Sequence, residues 1–224
     1  MKVDWSGTMI NEHVETYLKS LAPVRCEQVE MIEAYAKEHQ VPIMDLVGME
    51  SLLQLLKLHQ PKRILEIGTA IGYSAIRMAQ ALPDVEILTI ERDRARYEEA
   101  IKNIKALNLM DRIEVKYGDA LDLAQILESA PLFDVLFIDA AKGQYQRFFD
   151  LYGRFVKTGG VIYSDNVLFR GLVADENIDN KRLRKIAEKI NGYNQWLINH
   201  EGYDTRILPV GDGLAVSIKH LEGR

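Results

Sequence analysis

A chain of 224 residues, 47% apolar and 27% charged, is long enough for one α/β domain with a full core and too short for two. Its net charge of −5 gives no global electrostatic footprint for nucleic acid, so any RNA contact must come from a local patch. The one cysteine, Cys26, excludes an intrachain disulfide and fits a reducing, cytoplasmic compartment, and the scattered histidines suggest no structural zinc. Neither a signal peptide nor a membrane-spanning run is expected.

Residues 8–22 and 25–39 have the spacing of two amphipathic helices broken at Pro23, with Val29, Ile32, Tyr35 and Ala36 recurring on one face of the second. Residues 1–40 thus precede the first strand as an N-terminal helical cap. After the loop Val41–Asp45, a helix carrying Met49, Leu52, Leu53 and Leu56 leads to Pro61. Strands are then expected at 64–67, 85–91, 113–117, 133–139 and 160–165, alternating with helices over 74–79, 93–107, 121–129 and 144–156. A helix over 181–199 precedes two last strands, 205–209 and 214–218, and Gly211-Asp212-Gly213 between them is a hairpin signal. The fold class is α/β: a mostly parallel, seven-stranded, Rossmann-like sheet with an antiparallel C-terminal hairpin.

Ligands of such sheets sit outside the carboxyl ends of the strands. Acids stand at or near all five ends, namely Glu66, Glu91, Asp119, Asp139 and Asp165, which marks the active face. The first strand runs through Glu66-Ile67-Gly68 into a turn that closes at Gly72, with Tyr73-Ser74 opening a helix. A dinucleotide site wants a middle glycine where the backbone approaches a pyrophosphate, and none is present here. The turn suits a nucleoside ligand without pyrophosphate. S-adenosylmethionine, whose ammonium and sulfonium are welcome near Glu66, fits that description. Glu91 is placed for the ribose hydroxyls of an adenosine, Asp119 for the adenine amino group, and Ala120 offers it a backbone N–H.

Asp139 and Asp165-Asn166 close adjacent strands and project into one cleft. Two carboxylates and an amide oxygen are hard ligands suited to Mg²⁺. Lys142 hangs over the same place, and a lysine beside a divalent cation can take a proton from a substrate hydroxyl. Phe169-Arg170-Gly171 is a substrate lip or simply a loop. Lys181, Arg182, Arg184, Lys185 and Lys189 against Glu188 read as a solvated helix face, or as a phosphate contact if the substrate is RNA.

Ile64–Gly68, Gly72-Tyr73-Ser74, Ile138–Lys142 and Asp165–Leu168 resemble the catechol/caffeoyl-CoA O-methyltransferase family, class I enzymes dependent on S-adenosylmethionine and a divalent metal. The resemblance spans roughly residues 40–220, within a single methyltransferase domain. Pro42-Ile43-Met44, Ala141–Tyr145 and Pro209–Ala215 carry a closer likeness to bacterial tRNA 5-hydroxyuridine methyltransferases, which make 5-methoxyuridine at the wobble position. The resemblance implies that Met44, Ser74, Glu91, Asp119, Ala120 and Asp139 contact the cofactor. It further implies that Asp139, Asp165 and Asn166 hold Mg²⁺, that Lys142 is the base, and that the enzyme is a homodimer. Catechol enzymes grip the second hydroxyl with a further acid late in the chain, and the sequence does not place one. Chelation needs neighbouring oxygens, which a small catechol or phenolic substrate and 5-hydroxyuridine both possess, so the chemistry alone leaves both open. An NAD-dependent oxidoreductase is disfavoured by the missing glycine, and a non-catalytic nucleoside-binding module by Asp139, Lys142, Asp165 and Asn166.

Overall fold

The computed structural model of the chain describes residues 12–140 and 143–221. Helices α1 (Glu12–Leu21), α2 (Glu27–Glu38) and α3 (Leu46–His59) precede the first strand. The alternating part comes next: β1 (Arg63–Ile67), α4 (Tyr73–Ala81), β2 (Glu86–Glu91), α5 (Arg94–Ala106), β3 (Ile113–Tyr117), α6 (Ala120–Leu123), β4 (Phe133–Ile138), α7 (Tyr145–Gly153) and β5 (Val156–Ser164). Helix α8 (Lys181–Ile198) and the strands β6 (Tyr203–Leu208) and β7 (Leu214–Lys219) complete it. Short 3₁₀ turns come after α6 at Ala124–Leu127 and after β5 at Phe169–Ala174.

The seven strands form one sheet in the order β3-β2-β1-β4-β5-β7-β6, parallel except for the two pairings of β7. Strands β1 and β4 lie side by side while the connections leaving them run in opposite directions, and that reversal opens a crevice at their carboxyl ends. Strand β4 is almost entirely apolar and buried, as a central parallel strand covered on both faces must be. One core layer packs α2, α3, α4 and α5 on one face of the sheet, and a second packs α6, α7 and α8 on the other. The helix starts are set by local chemistry. Asp45 accepts from the Val47 and Gly48 amides at α3, Asp93 from Arg96 at α5, and Asn180 from Arg182 and Leu183 at α8.

Some boundaries differ from the sequence expectation. Strand β5 starts at Val156, because Val156 pairs with Phe133 before the register shifts to Val135–Val161; Gly159-Gly160 reads as a breaker but sits inside this irregular strand. The helix expected to reach residue 156 stops at Gly153, and the one expected over 121–129 is a single α-turn capped by Asp119, continued as a 3₁₀ turn. Within the helix expected over 8–22, residues 8–11 lie outside the described residues.

A charged network fastens the helical cap to this sheet. Arg77 of α4, buried, donates to Glu50 of α3 at 2.5 Å and to the Tyr73 hydroxyl at 3.0 Å, and Tyr73 donates to Glu33 of α2 at 2.8 Å. Removing the one buried cation leaves carboxylates facing each other in a partly desolvated seam. Arg77→Met should therefore lower stability by roughly 3 kcal/mol, since both glutamates keep some solvent contact. Urea unfolding measures this, and a loss under about 1 kcal/mol would show that the network contributes little.

Candidate active site

The site begins with a backbone contact. Gly68 ends β1 with φ 102°, and a Cβ there would lie 1.9 Å from the Asp139 carbonyl oxygen, so only glycine permits this approach of the β1–α4 turn to the end of β4. The Asp139 amide donates to the Ile67 carbonyl at 3.0 Å, and the Gly68 amide to Ile90 at 3.0 Å, so three strand ends are tied together. Above them lies a cleft of about 310 Å³, lined among others by Met44, Gly68, Ala70, Glu91, Asp119, Ala120, Asp139 and Asn166.

Glu91 is buried and accepts from the Ala70 amide at 2.8 Å and the Asp93 amide at 2.8 Å, which fixes the carboxylate at the cleft wall with lone pairs remaining for a ligand. Asp119 accepts from the Leu121 amide at 2.9 Å and faces Arg92 at 3.6 Å. Met44 is buried at the edge of the cleft.

Glu66 and Ser74 sit behind this wall. Glu66 lies within β1 and is fully buried; it accepts from Ser74 Oγ at 2.5 Å and from Thr89 Oγ1 at 2.6 Å, and neither Glu66 nor Ser74 is among the cleft-lining residues. Glu66 therefore stands behind the cleft, whereas Glu91, Asp119 and Asp139 line it. Burial pushes its carboxyl up to about 7, against the two hydroxyl bonds and with help from the charges of Asp139 and Glu91.

A second cavity, about 500 Å³, opens beside the first and is lined by Glu15, Pro42–Asp45, Val47, Asp165, Asn166, Arg170, Gly211 and Asp212. The two share Pro42, Ile43, Met44 and Asn166; Asp139 lines only the first and Asp165 only the second. Asp165, at 2% exposure, has its backbone held by β4 and by α7, through its amide to Ile138 at 3.1 Å and the Tyr145 hydroxyl to its carbonyl at 2.9 Å. Burial first, then the charge of Asp139 and more weakly of Asp45 and Asp212, raises its carboxyl well above the carboxylate range, opposed by a bond from the Asn166 backbone. Asn166, in the left-handed region at φ 62°, donates its side-chain amide to Asp165 at 2.5 Å, which leaves its Oδ1 for another partner.

The C-terminal hairpin fixes the residues beyond Asn166. Val167 and Leu168 donate to the carbonyls of Gly213 and Asp212, and the Asp212 carboxylate accepts from the Arg170 amide. At Gly211, φ 56°, a Cβ would meet the Asp45 carboxylate at 2.1 Å, so the hairpin turn is pressed against the N-cap of α3. Sequence reasoning missed Asp45 and Asp212 as site residues. Cap and hairpin chemistry account for both as residue types, and only the fold brings them to one cavity.

Of the remaining sequence candidates, Arg170 lines the second cavity at its exposed rim. Lys181, Arg182 and Lys185 line a separate hollow on α8, Arg184 is exposed on the same helix, and Lys142 lies outside the described residues.

A seven-stranded sheet of this order with a nucleoside-sized cleft at its switch point defines a class I, S-adenosylmethionine-dependent methyltransferase. The chain belongs to the O-methyltransferase family, whose model matches residues 24–220. It is 31% identical to a caffeoyl-CoA O-methyltransferase of Populus kitakamiensis over 94% of each chain. It is 38% identical to a catechol O-methyltransferase of Niastella koreensis over 74% of this chain and 77% of that one. An O-methyltransferase structure from Bacillus cereus in complex with S-adenosylhomocysteine superposes with a TM-score of 0.78 at 27% identity, covering 92% of this chain and 97% of that one.

The buried Glu66 gives a pH-dependent stability. Its folded value of about 7 lies above the ordinary 4.5, so between those values only the folded chain holds the proton, and stability is lost as pH rises through 7. The loss is on the order of 3 kcal/mol. Urea unfolding at pH 5 and pH 8 should show Glu66→Gln lacking this fall; parallel pH dependence in both proteins would contradict it.

Proposed function

We propose that the chain methylates one of two neighbouring oxygens on a ring held in the second cavity, with 5-hydroxyuridine at the tRNA wobble position as substrate and 5-methoxyuridine as product. The observation that carries this reading is the junction of the two cavities. Asp139 faces the cofactor cleft, Asp165 faces the chamber beside it, and Asn166 lines both.

Mg²⁺ fits this junction. Asp165 is desolvated, and the charged groups acting most strongly on it are acids, so the pair Asp139/Asp165 is suited to a cation. Among the described residues no three acid, histidine or cysteine side chains form a metal site by themselves. The donor set is two carboxylates and the Asn166 amide oxygen, and Mg²⁺ ordinarily completes such a set with water or substrate oxygens. When bound, Mg²⁺ supplies a Lewis acid that lowers the pKa of a neighbouring hydroxyl, and S-adenosylmethionine supplies the methyl group as a sulfonium.

The chain's own residues position the partners. Glu91 accepts from the ribose hydroxyls, and Asp119 and Ala120 hold the adenine edge. Gly68 lets the turn approach the cofactor, and Ser74 and Thr89 hold Glu66 behind it. Met44, on the boundary of both cavities, packs between methyl donor and acceptor ring. Lys142 accepts the hydroxyl proton. Transfer of the methyl from the sulfonium to the oxyanion would release S-adenosylhomocysteine and remove a positive and a negative charge together.

The likeness of Pro42-Ile43-Met44 and Pro209–Ala215 to tRNA-modifying enzymes supports the nucleoside substrate, and the first of these segments lines both cavities. A second reading, a small catechol or phenolic substrate, is favoured by the relatives named for caffeoyl-CoA and catechol. We further place the enzyme in the cytoplasm as a homodimer with a single domain over 1–224. Exposed Val14, Tyr17, Leu21 and Met31 on the helical cap support the dimer, and among the described residues no helix is long and apolar enough to cross a membrane.

Methyl transfer from labelled cofactor onto total tRNA from cells lacking this protein tests the substrate, with simple catechols alongside. Label in 5-methoxyuridine is expected; brisk labelling of catechols with none in tRNA would select the second reading. Asp165→Ala should lower turnover by about 10²–10³-fold and leave affinity for S-adenosylhomocysteine within about threefold, a change under 1 kcal/mol. Turnover comparable to the unmodified enzyme would contradict the metal placement.

A further inference from the structure

The N-terminal half of α8 is built against its own stability. Lys181, Arg182 and Arg184 occupy the first turn, where the helix dipole favours acids, and no acid is present there. Lys181, Lys185 and Lys189 repeat at i, i+4 and i+8, so like charges stack along one line of the helix. Glu188 stands four residues after Arg184, yet none of these five cations forms an ion pair with a described residue. Elsewhere the same spacing is used, as in Arg94–Glu98 and Lys19–Glu15. A chain of net charge −5 thus concentrates five unpaired cations against one glutamate in nine residues.

The arrangement is rigidly mounted. Ala187, Ile190, Tyr193, Asn194 and Leu197 are buried on the opposite face, and Asn194 donates to the Val167 carbonyl at 2.7 Å, two residues from Asp165. The Phe169–Ala174 segment packs on α8 and carries Arg170 at the chamber rim. Lys181, Arg182, Lys185, Ile186 and Lys189 line a shallow hollow on the exposed side. Successive lysines of the stripe are about 6 Å apart along the axis, an interval comparable to that of phosphates along an extended strand.

We propose that this stripe of α8 binds the sugar–phosphate backbone of RNA and so holds a polynucleotide whose reactive ring enters the chamber. Repeated like charge is unfavourable to the isolated helix and favourable to a polyanion that displaces its counterions. The inference rests on the tRNA reading above and adds the surface by which the polymer is held.

The test is binding of a fluorescent RNA hairpin with a single-stranded loop, measured by anisotropy across a range of salt concentrations. The triple variant Lys181→Gln, Lys185→Gln, Lys189→Gln should bind at least about tenfold more weakly at low salt. Its slope of log K against log salt should be shallower by about 2, or roughly 0.7 for each phosphate no longer neutralised. Its affinity for S-adenosylhomocysteine should be unchanged, which also reports an intact fold. Equal RNA affinity and equal slope in the two proteins would overturn the proposal. So would an absence of RNA binding by the unmodified protein, and if that protein still methylates catechols, O-methyl transfer stands and only the RNA surface falls. Unaltered RNA binding together with impaired turnover of a nucleotide-bearing thioester would assign the stripe to a small anionic substrate instead.

Discussion

The end of β5 sets the character of this molecule, because it holds the Asp165 carboxylate almost out of solvent beside a second acid, Asp139. Asp165 is held almost out of solvent at the end of β5, with Asp139 at the end of the neighbouring strand and Asp45 and Asp212 further off. In so desolvated a place, the charge of Asp139 adds to burial in raising the cost of ionising Asp165, and the backbone amide of Asn166 only partly offsets it. Each surrounding feature keeps these groups together against their repulsion. Tyr145 and Ile138 hold the Asp165 backbone, Gly68 lets β1 close onto Asp139, and the C-terminal hairpin pins the residues after Asn166. The fold places these acids at the boundary between the cofactor cleft and a second chamber.

That placement is a product of topology. The crevice exists because connections leave β1 and β4 in opposite directions, and the antiparallel β7 beside β5 brings the Gly211–Gly213 turn across the top of it. Glu15 of α1 and the 42–47 segment supply the remaining wall, and the Arg77 network anchors α2 and α3 to α4. The two adjoining cavities are therefore built from different parts of the chain, the second from the elements least like an ordinary nucleotide-binding sheet.

Much of this is legible in the sequence because it is written in local patterns. The apolar runs of β1 and β4, the Gly68–Gly72 turn, and acids placed where strands stop are short-range signals, and each indicates the element and the face. Glu66 shows the limit: an acid near a strand end reads as exposed to ligand, whereas its position within β1 turns it into a buried partner of Ser74 and Thr89. Asp45 and Asp212 show another limit, since N-cap and hairpin chemistry explain them locally and only long-range packing puts them on the chamber wall. The early start of β5 is hidden for the same reason, because Val156 enters the sheet by pairing with Phe133 across an irregular register that Gly159-Gly160 disguises.

The proposed chemistry requires cation binding at the Asp139–Asp165–Asn166 junction. Titration of the purified protein with Mn²⁺, reading the free-ion signal by electron paramagnetic resonance, measures it without any assumption about substrate. One site per chain is expected, competed by Mg²⁺ and weakened on the order of a hundredfold in Asp165→Asn, the loss typical when a metal site is disturbed. Equal Mn²⁺ affinity in the two proteins, or no stoichiometric site in either, would contradict it.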